Sequence, residues 1–289
     1  MKAPPFDYAR PASLAEVFDL LAAHGDNARL LAGGQTLLAT LNMRLSEPAL
    51  LVDINGIAEL SGISVSATHL RIGALTRHTE IEDSPLVARH APLLAMAVPH
   101  IAHRAIRNLG TFGGSIAYAD PAAEWPACAL ALDAELIVRS RSGERRIAAA
   151  DFFVDVLTTS LLAGEVLVAC EIPLRGPDWR HAFDELARRH GDYAIVGLAV
   201  AARRDGELVA DARLSFLGVG NTPLRARQTE AVLNGRRLDA QAIDDAAAAL
   251  RTELSGEYAP MSDLTNSSAT KRHLATVLLR RQLAQIAAQ

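Results

Sequence analysis

Two pairs of adjacent glycines, each followed by small polar residues, are the features of this sequence best suited to ligand chemistry. The first pair is Gly33-Gly34, followed by Gln35 and Thr36, and the second is Gly113-Gly114, followed by Ser115. Glycine allows close approach to the backbone, so main-chain N–H groups in such loops can hold an anion. Two loops of this kind could hold the two phosphates of one pyrophosphate. The sequence therefore predicts a dinucleotide-binding site of an uncommon type.

The common nucleotide-binding motifs do not match these glycines. A P-loop requires a lysine after its second glycine, and the chain contains only Lys2 and Lys271. A Rossmann fingerprint requires spaced glycines between a strand and a helix, with an acidic residue about twenty positions later. Asp53 lies near that distance from the first pair, but the adjacent glycines make the Rossmann interpretation weak.

Composition indicates a soluble globular protein with an ample core and two domains. Half of the 289 residues are apolar, and the formal net charge is −4, which gives no reason to expect nucleic acid as a partner. No run approaches the length of about eighteen apolar residues that spans a membrane. The N-terminal sequence has no export pattern, so we expect a cytoplasmic protein.

The cysteines and histidines predict neither a metal site nor a catalytic triad. Cys128 and Cys170 lie far apart in apolar surroundings, which is typical of buried thiols in a reducing compartment. His100 and His103 are three residues apart, but no acidic residue or cysteine completes a metal site around them. We therefore expect no catalytic acid, base or nucleophile on this chain.

The elements that must position the glycines follow an α+β pattern. Ser13 and Glu16 form a capping box at the start of a helix that ends at Gly25. Further predicted helices cover 35–44, 78–82, 86–98, 122–131, 226–233, 240–254 and 268–287, and predicted strands cover 28–32, 50–54, 63–65, 70–72, 135–139, 166–172, 194–203 and 208–219. The pattern breaks at 175–178, where we place a domain boundary.

Beyond these patterns, the chain resembles a known family: the FAD-binding medium subunits of the molybdenum hydroxylases, the group of xanthine dehydrogenase and carbon monoxide dehydrogenase. The resemblance is carried, in family order and spacing, by AGGQTLL (32–38), IRNLGTFGGSIAYADPAAEWP (106–126), LALDAEL (130–136), EIP (171–173) and ARRHGDYAIVG (187–197). Each segment alone is weakly specific, but together they span almost the whole chain.

The resemblance implies the fold and the cofactor site. It implies an FAD-binding domain of the PCMH or vanillyl-alcohol-oxidase type over 1–176, with subdomains of about 1–55 and 56–176. A C-terminal domain, an antiparallel sheet with helices, would follow over 177–289. Non-covalent FAD would be bound by Leu31, Ala32, Gly33, Gly34, Gln35, Thr36, Leu37, Ile101, Thr111, Phe112, Gly113, Gly114, Ser115, Asp120, Glu124, Leu167 and Tyr193.

Two of these residues have alternative interpretations from the sequence alone. Asp120 could serve only to cap the helix predicted from Ala122, and Tyr193 could be a core residue. Two positions depart from the family pattern. Asp184 and Glu185 stand where some relatives have a lysine near the flavin, and Leu109 stands where an arginine is common.

The resemblance also implies the function. The chain would pass electrons from the [2Fe–2S] clusters of a small iron–sulfur subunit through FAD to an external acceptor. A large subunit would hold the molybdopterin, and the complex would be a dimer of such heterotrimers. Two alternatives stay open: a stand-alone FAD-dependent oxidoreductase, and a scaffold subunit that has lost FAD. The absence of an acid–base cluster disfavours the former, and the intact glycines disfavour the latter.

Overall fold

A computed structural model describes residues 2–289, and it begins with a small parallel sheet that carries the first glycine pair. Its elements are β1 (Asp7–Ala9), α1 (Leu14–His24), β2 (Ala28–Leu31), α2 (Leu37–Asn42) and β3 (Leu50–Asp53). The strand order is β1-β3-β2, with both pairings parallel. Helix α1 is capped as predicted, because the Ser13 side chain accepts a hydrogen bond from the Glu16 amide and Gly25 ends the helix.

A five-stranded antiparallel sheet follows, with its central strand supplied last. Its order is β4-β5-β10-β6-β7, so the late strand β10 pairs with β5 on one side and with β6 on the other. The strands are β4 (Ile63–Val65), β5 (His69–Gly73), β6 (Glu135–Ser140), β7 (Gly143–Ala148) and β10 (Val166–Pro173), and a separate hairpin consists of β8 (Phe153–Asp155) and β9 (Thr158–Thr159).

Short helices between β5 and β6 cover this sheet and carry the second glycine pair. They are α3 (His78–Glu82), α4 (Pro85–His90), α5 (Pro92–Ala97), α6 (Arg104–Arg107), α7 (Phe112–Tyr118) and α8 (Glu124–Ala131), with α9 (Ala149–Phe152) after β7. Helix α8 is buried along most of its length. Its Trp125 and Cys128 belong to the main hydrophobic core.

The C-terminal part is an antiparallel sheet with its own helices on one face and helices α5 and α8 of the preceding part on the other. The strands, in the order β11-β12-β13-β14, are β11 (Trp179–Leu186), β12 (Val196–Asp205), β13 (Leu208–Leu217) and β14 (Leu224–Arg225), and the helices are α10 (Arg227–Leu233), α11 (Ala240–Glu253) and α12 (Ser268–Ala288). Leu198 and Leu214 face the C-terminal helices. Phe183, Ala199 and Leu217 instead join the core of the preceding part.

Polar contacts also join the two parts of the chain. The carboxylate of Asp133 forms ion pairs with Arg175, Arg213 and Arg225. The guanidinium groups of Arg175 and Arg213 lie 4.3 Å and 5.0 Å from the ring centre of Trp179, within the range of cation–π attraction. The junction between β10 and β11 is therefore fixed by charge as well as by apolar packing.

The structure confirms the α+β class and corrects several elements. The helix predicted over 86–98 is divided into α4 and α5 at Pro92, where the proline ring prevents a continuous helix. The sequence did not predict β1, β7 or β11, nor the helix α7 at the second glycine pair. Across residues 2–289, no helix combines the length and apolar composition that crossing a lipid bilayer requires.

Candidate functional site

The first glycine pair lies in the turn that joins β2 to α2. Gly34 has a φ angle of 69°, in the left-handed region that side chains disfavour. Gly33 is required for a different reason: a Cβ atom there would lie 2.4 Å from the carbonyl oxygen of Leu109 and 2.8 Å from the Cα of Gly110. The absence of a side chain at Gly33 therefore lets this turn pack directly against the segment before the second pair.

The backbone of this turn presents unused hydrogen-bond donors. Within the described chain, the amide N–H groups of Gly33, Gly34, Gln35 and Thr36 donate to no protein acceptor, and all four residues are partly exposed. The Gln35 side chain turns back and donates to the Gly33 carbonyl at 2.9 Å. Consecutive free N–H groups of this kind form a concave donor surface that suits an anion.

The second glycine pair lies in a helix rather than in the predicted loop. Gly113 and Gly114 are in the first turn of α7, and Thr111 caps that turn by accepting the Gly114 amide hydrogen at 3.2 Å. The amides of Phe112 and Gly113 donate to the carbonyls of Thr76 and Ala74. These donors are already used and Thr111 is buried, so the second segment offers the partly exposed hydroxyl of Ser115 instead of a row of free amides.

The second pair needs glycine for packing. A Cβ atom at Gly113 would lie 2.4 Å from the Cβ of Ala74, and one at Gly114 would lie 2.6 Å from the Thr111 hydroxyl. From the sequence, close approach of a phosphate was the predicted reason for both pairs. In the structure, glycine at the second pair allows α7 to begin directly against the residue that follows β5.

A buried histidine, His78, packs against the residue that precedes the second segment. The ring of His78 would lie 2.7 Å from a Cβ atom at Gly110, and its Nδ1 accepts a hydrogen bond from Trp125 Nε1 at 3.0 Å. Burial, together with the positive charges of Arg107 and Arg77, lowers the pKa of His78 to about 4. The ring is therefore neutral at pH 7, as its acceptor role requires. The sequence assigned His78 no role, because an isolated histidine carries no spacing signal.

A cleft of about 360 Å³ lies between residues 120–122 and 218–220. Tyr193 and Lys271 line it, and Tyr193 is 65% exposed, so the alternative that Tyr193 is a core residue is wrong. Asp120 accepts a hydrogen bond from the Ala122 amide at 2.9 Å. That contact orders the turn before α8, which begins at Glu124 rather than at Ala122.

Three apolar side chains of the expected site lie in the core. Ile101, Phe112 and Leu167 are at most 8% exposed, and all three belong to the main hydrophobic cluster. Phe112 packs against Trp125 with their ring centres 5.4 Å apart. In this structure, these side chains support the site from within the core.

Two acidic side chains lie close together, Glu124 at the start of α8 and Glu185 on β11. The Glu185 side chain is 4% exposed, and its Oε1 lies 3.9 Å from His100 Nδ1. Its Oε2 has no hydrogen-bond partner among the described residues. Burial, then the nearby Glu124 and Asp184, raises the pKa of Glu185 to about 8. Burial, then Asp120, raises the pKa of Glu124 to about 7. Of the two acidic residues at positions 184 and 185, Glu185 therefore holds a neutral carboxyl group at pH 7.

Metal-ligating residues do not cluster in the structure. Among the residues it describes, no group of three or more His, Cys, Asp or Glu side chains could hold a metal ion. Cys128 and Cys170 are both free and buried, and burial raises the pKa of each thiol. The polar groups that remain accessible are the amides of the first turn, the hydroxyl of Ser115 and the side chains around the cleft.

Comparisons with known protein families match nearly the whole chain. Residues 4–175 match the family described as the FAD binding domain in molybdopterin dehydrogenase. Residues 181–286 match the CO dehydrogenase flavoprotein C-terminal domain. Together, the two matches include both glycine segments, the acidic pair and Tyr193.

Full-length relatives show the same relationship. The 6-hydroxypseudooxynicotine dehydrogenase complex subunit alpha of Paenarthrobacter nicotinovorans is 40% identical over 99% of this chain and 95% of that protein. The nicotine 6-hydroxylase medium subunit of the same organism is 37% identical over the full length of both. In the solved structure of carbon monoxide dehydrogenase from Hydrogenophaga pseudoflava, one chain superposes with a TM-score of 0.95 at 36% identity, covering 100% of this chain and 99% of that one.

Proposed function

Because the chain belongs to the FAD-binding medium subunits of the molybdenum hydroxylases, we propose that it accepts electrons from a partner subunit and passes them through FAD to an external acceptor. It is an oxidoreductase subunit with FAD as its cofactor. When bound, FAD supplies redox chemistry that side chains lack, while the protein supplies binding and orientation.

The free amides at Gly33–Thr36 are the observation that carries the proposed cofactor site. They match the acceptor oxygens of a pyrophosphate, and the partly exposed Ser115 hydroxyl of the adjoining segment adds a further donor. We propose that Leu31–Leu37 and Thr111–Ser115 hold the pyrophosphate. Tyr193 would lie near the isoalloxazine, and Glu124 would meet polar atoms of FAD, with Asp120 shaping the same wall. Ile101 would pack on the adenine side, and Leu167 would lie against a ring.

The same proposal assigns two regions to the chain. Residues 1–176, with subdomains of about 1–55 and 56–176, would form the FAD-binding domain, and 177–289 would form the C-terminal domain. The interruption between β10 and β11 supports this division. Core residues shared across it, such as Phe183 and Leu217, would hold the two domains as one unit.

Partners supply the remaining redox centres in this proposal. The relatives are subunits of multi-subunit enzymes. We infer a small subunit with [2Fe–2S] clusters, a large molybdopterin subunit and a dimer of such heterotrimers, since two-fold symmetry is the commonest oligomeric arrangement. The free buried thiols of Cys128 and Cys170 are compatible with a reducing compartment such as the cytoplasm.

Co-expression tests the subunit assignment. With the genes adjacent to its own, the chain should co-purify with a cysteine-rich small subunit and a large molybdenum-bearing one. Purified alone, it should hold one FAD, which acid precipitation should release into the supernatant. Alone it should show little turnover of organic substrates. Turnover by the isolated chain on the order of 1 per second or faster would favour a stand-alone oxidoreductase instead.

A further inference from the structure

A chain of hydrogen bonds connects the two glycine segments through residues outside both. The Asn55 amide donates to the Ala32 carbonyl at 2.8 Å, directly before the first glycine pair. The Asn55 side-chain oxygen accepts a hydrogen bond from Arg77 Nη2 at 2.7 Å. Arg77 Nη1 in turn donates to the Leu109 carbonyl, the same oxygen against which Gly33 packs.

The path is therefore closed. Ala32, Asn55, Arg77 and Leu109 are joined by hydrogen bonds, and the direct contact of Gly33 with Leu109 completes the ring. Arg77 also forms an isolated antiparallel bridge with Thr111. Moving either segment relative to the other would break at least one of these contacts. The ring thus fixes the distance between the free amides of the first turn and the hydroxyls of the second segment.

The guanidinium charge of Arg77 has no ion-pair partner among the described residues. Its two observed acceptors are a neutral amide and a neutral carbonyl oxygen. No carboxylate of the described residues lies within the 4.0 Å ion-pair limit. The nearby Glu80 carboxylate instead accepts the Arg77 backbone N–H at 2.6 Å. A guanidinium cannot lose its proton at physiological pH, so a full positive charge remains at the junction of the two segments.

We propose that Arg77, oriented by Asn55, is a positioning residue that locks the two glycine segments together and places a positive charge beside the cofactor's diphosphate. This inference rests on the proposed FAD site. Neither residue lies in a glycine motif, and their positions 55 and 77 bracket β4 and β5. The sequence alone therefore gives no sign that they act together.

Titration of FAD and ADP into the apoprotein of the full chain tests the proposal. Arg77→Gln should weaken the binding of both ligands about 10- to 100-fold, because a hydrogen bond to a charged group is lost. It should also flatten the dependence of the dissociation constant on salt, since a charge beside the diphosphate is removed. Arg77→Lys should keep the salt dependence but lose affinity, because an ammonium group lacks the planar fork that bonds both Asn55 and Leu109.

Arg180 provides a matched control. It is also partly buried, donates to two carbonyl oxygens and forms no ion pair among residues 2–289, but it lies on β11. Arg180→Gln should leave FAD and ADP binding unchanged. Asn55→Ala, which leaves Arg77 in place, should weaken FAD binding but leave the salt dependence of the dissociation constant unchanged. It provides an independent test if Arg77→Gln does not fold.

Two results would overturn the proposal. One is Arg77→Gln binding FAD as tightly as Arg180→Gln. The other is a loss of ADP affinity in Arg77→Gln that is matched by an equal loss of affinity for uncharged adenosine and accompanied by a lower urea midpoint of unfolding. That result would indicate a structural role only. A wild-type chain that binds neither FAD nor ADP would instead refute the proposed cofactor site itself, so the two failures are distinguishable.

Discussion

Replacing Gly33 with alanine should separate the two glycine segments and weaken FAD binding. The new Cβ would lie 2.4 Å from the Leu109 oxygen, whereas ordinary contact begins at 3.4 Å, so the backbones must move apart by about 1 Å (3.4 minus 2.4). Overpacking of this kind costs roughly 1–3 kcal/mol. If the segments relax apart in the apoprotein, the same free energy opposes their closure on FAD, and the dissociation constant should rise about 5- to 150-fold.

Quenching of flavin fluorescence during titration of the apoprotein measures this constant. Gly56→Ala is the matched control, since a Cβ at Gly56 would lie no closer than 3.6 Å to Arg10 Nε and the glycine belongs to the same part of the chain. Circular dichroism should show both variants folded at the titration temperature. Equal FAD affinity for Gly33→Ala and Gly56→Ala would refute the argument that contact between the segments is needed for binding.

Three further outcomes follow from the described contacts. Glu185 and Glu124 have pKa values raised to about 8 and about 7, so the folded state holds protons that the unfolded state loses near pH 4.5. Their contribution to the free energy of unfolding is thus full below pH 4.5 and lost as the pH rises to 8. In urea titrations between pH 6 and 9, the free energy of unfolding should therefore decline less with pH for Glu185→Gln than for the wild type. Thr111→Val should lower the free energy of unfolding by about 1 kcal/mol, because the α7 cap is lost, whereas an unchanged urea midpoint would contradict the capping role. Ser115→Ala should leave that midpoint unchanged and weaken FAD binding several-fold in the flavin fluorescence titration. An FAD affinity identical to that of the wild type would exclude the Ser115 hydroxyl from the site.

Local signals in the sequence predicted part of this fold well. Ser13, Glu16 and Gly25 mark both ends of α1 because capping depends on a few adjacent side chains. Alternating apolar residues predicted the β4–β5 hairpin, since one face of each strand is buried. Residues within each of these elements determine its structure, and the structure confirms both predictions.

Elements that depend on pairing or packing with another segment were missed. Strand β11 has only three buried residues in a run of eight, so its sequence shows no clear alternation. It forms because it pairs along its whole length with β12. The second glycine pair predicted a loop, since adjacent glycines are typical of turns. Helix α7 forms there because Thr111 caps it and Ala74 leaves room only for glycine.

The candidate site shows the same division. The sequence located both glycine segments, but it could not distinguish amides that are free from amides that are already bonded. That distinction depends on where Thr76 and Ala74 place their carbonyl groups. The raised pKa of Glu185 likewise depends on the burial of its side chain and on the nearby Glu124, which lies 61 positions earlier in the chain (185 minus 124).

Because β10 is synthesised after the strands on either side of it, the five-stranded sheet can close only late in the synthesis of the chain. Glu171 of β10 pairs with Arg71 of β5, 100 positions earlier. At roughly 5–20 residues per second of synthesis, β5 waits about 5–20 s for this neighbour, with an unpaired edge that could join another chain. Ala74, against which Gly113 packs, follows directly on β5. Capture of the cofactor therefore belongs to the period after residue 173 has left the ribosome, and a nascent chain that stops before β10 should neither hold flavin nor stay free of aggregation.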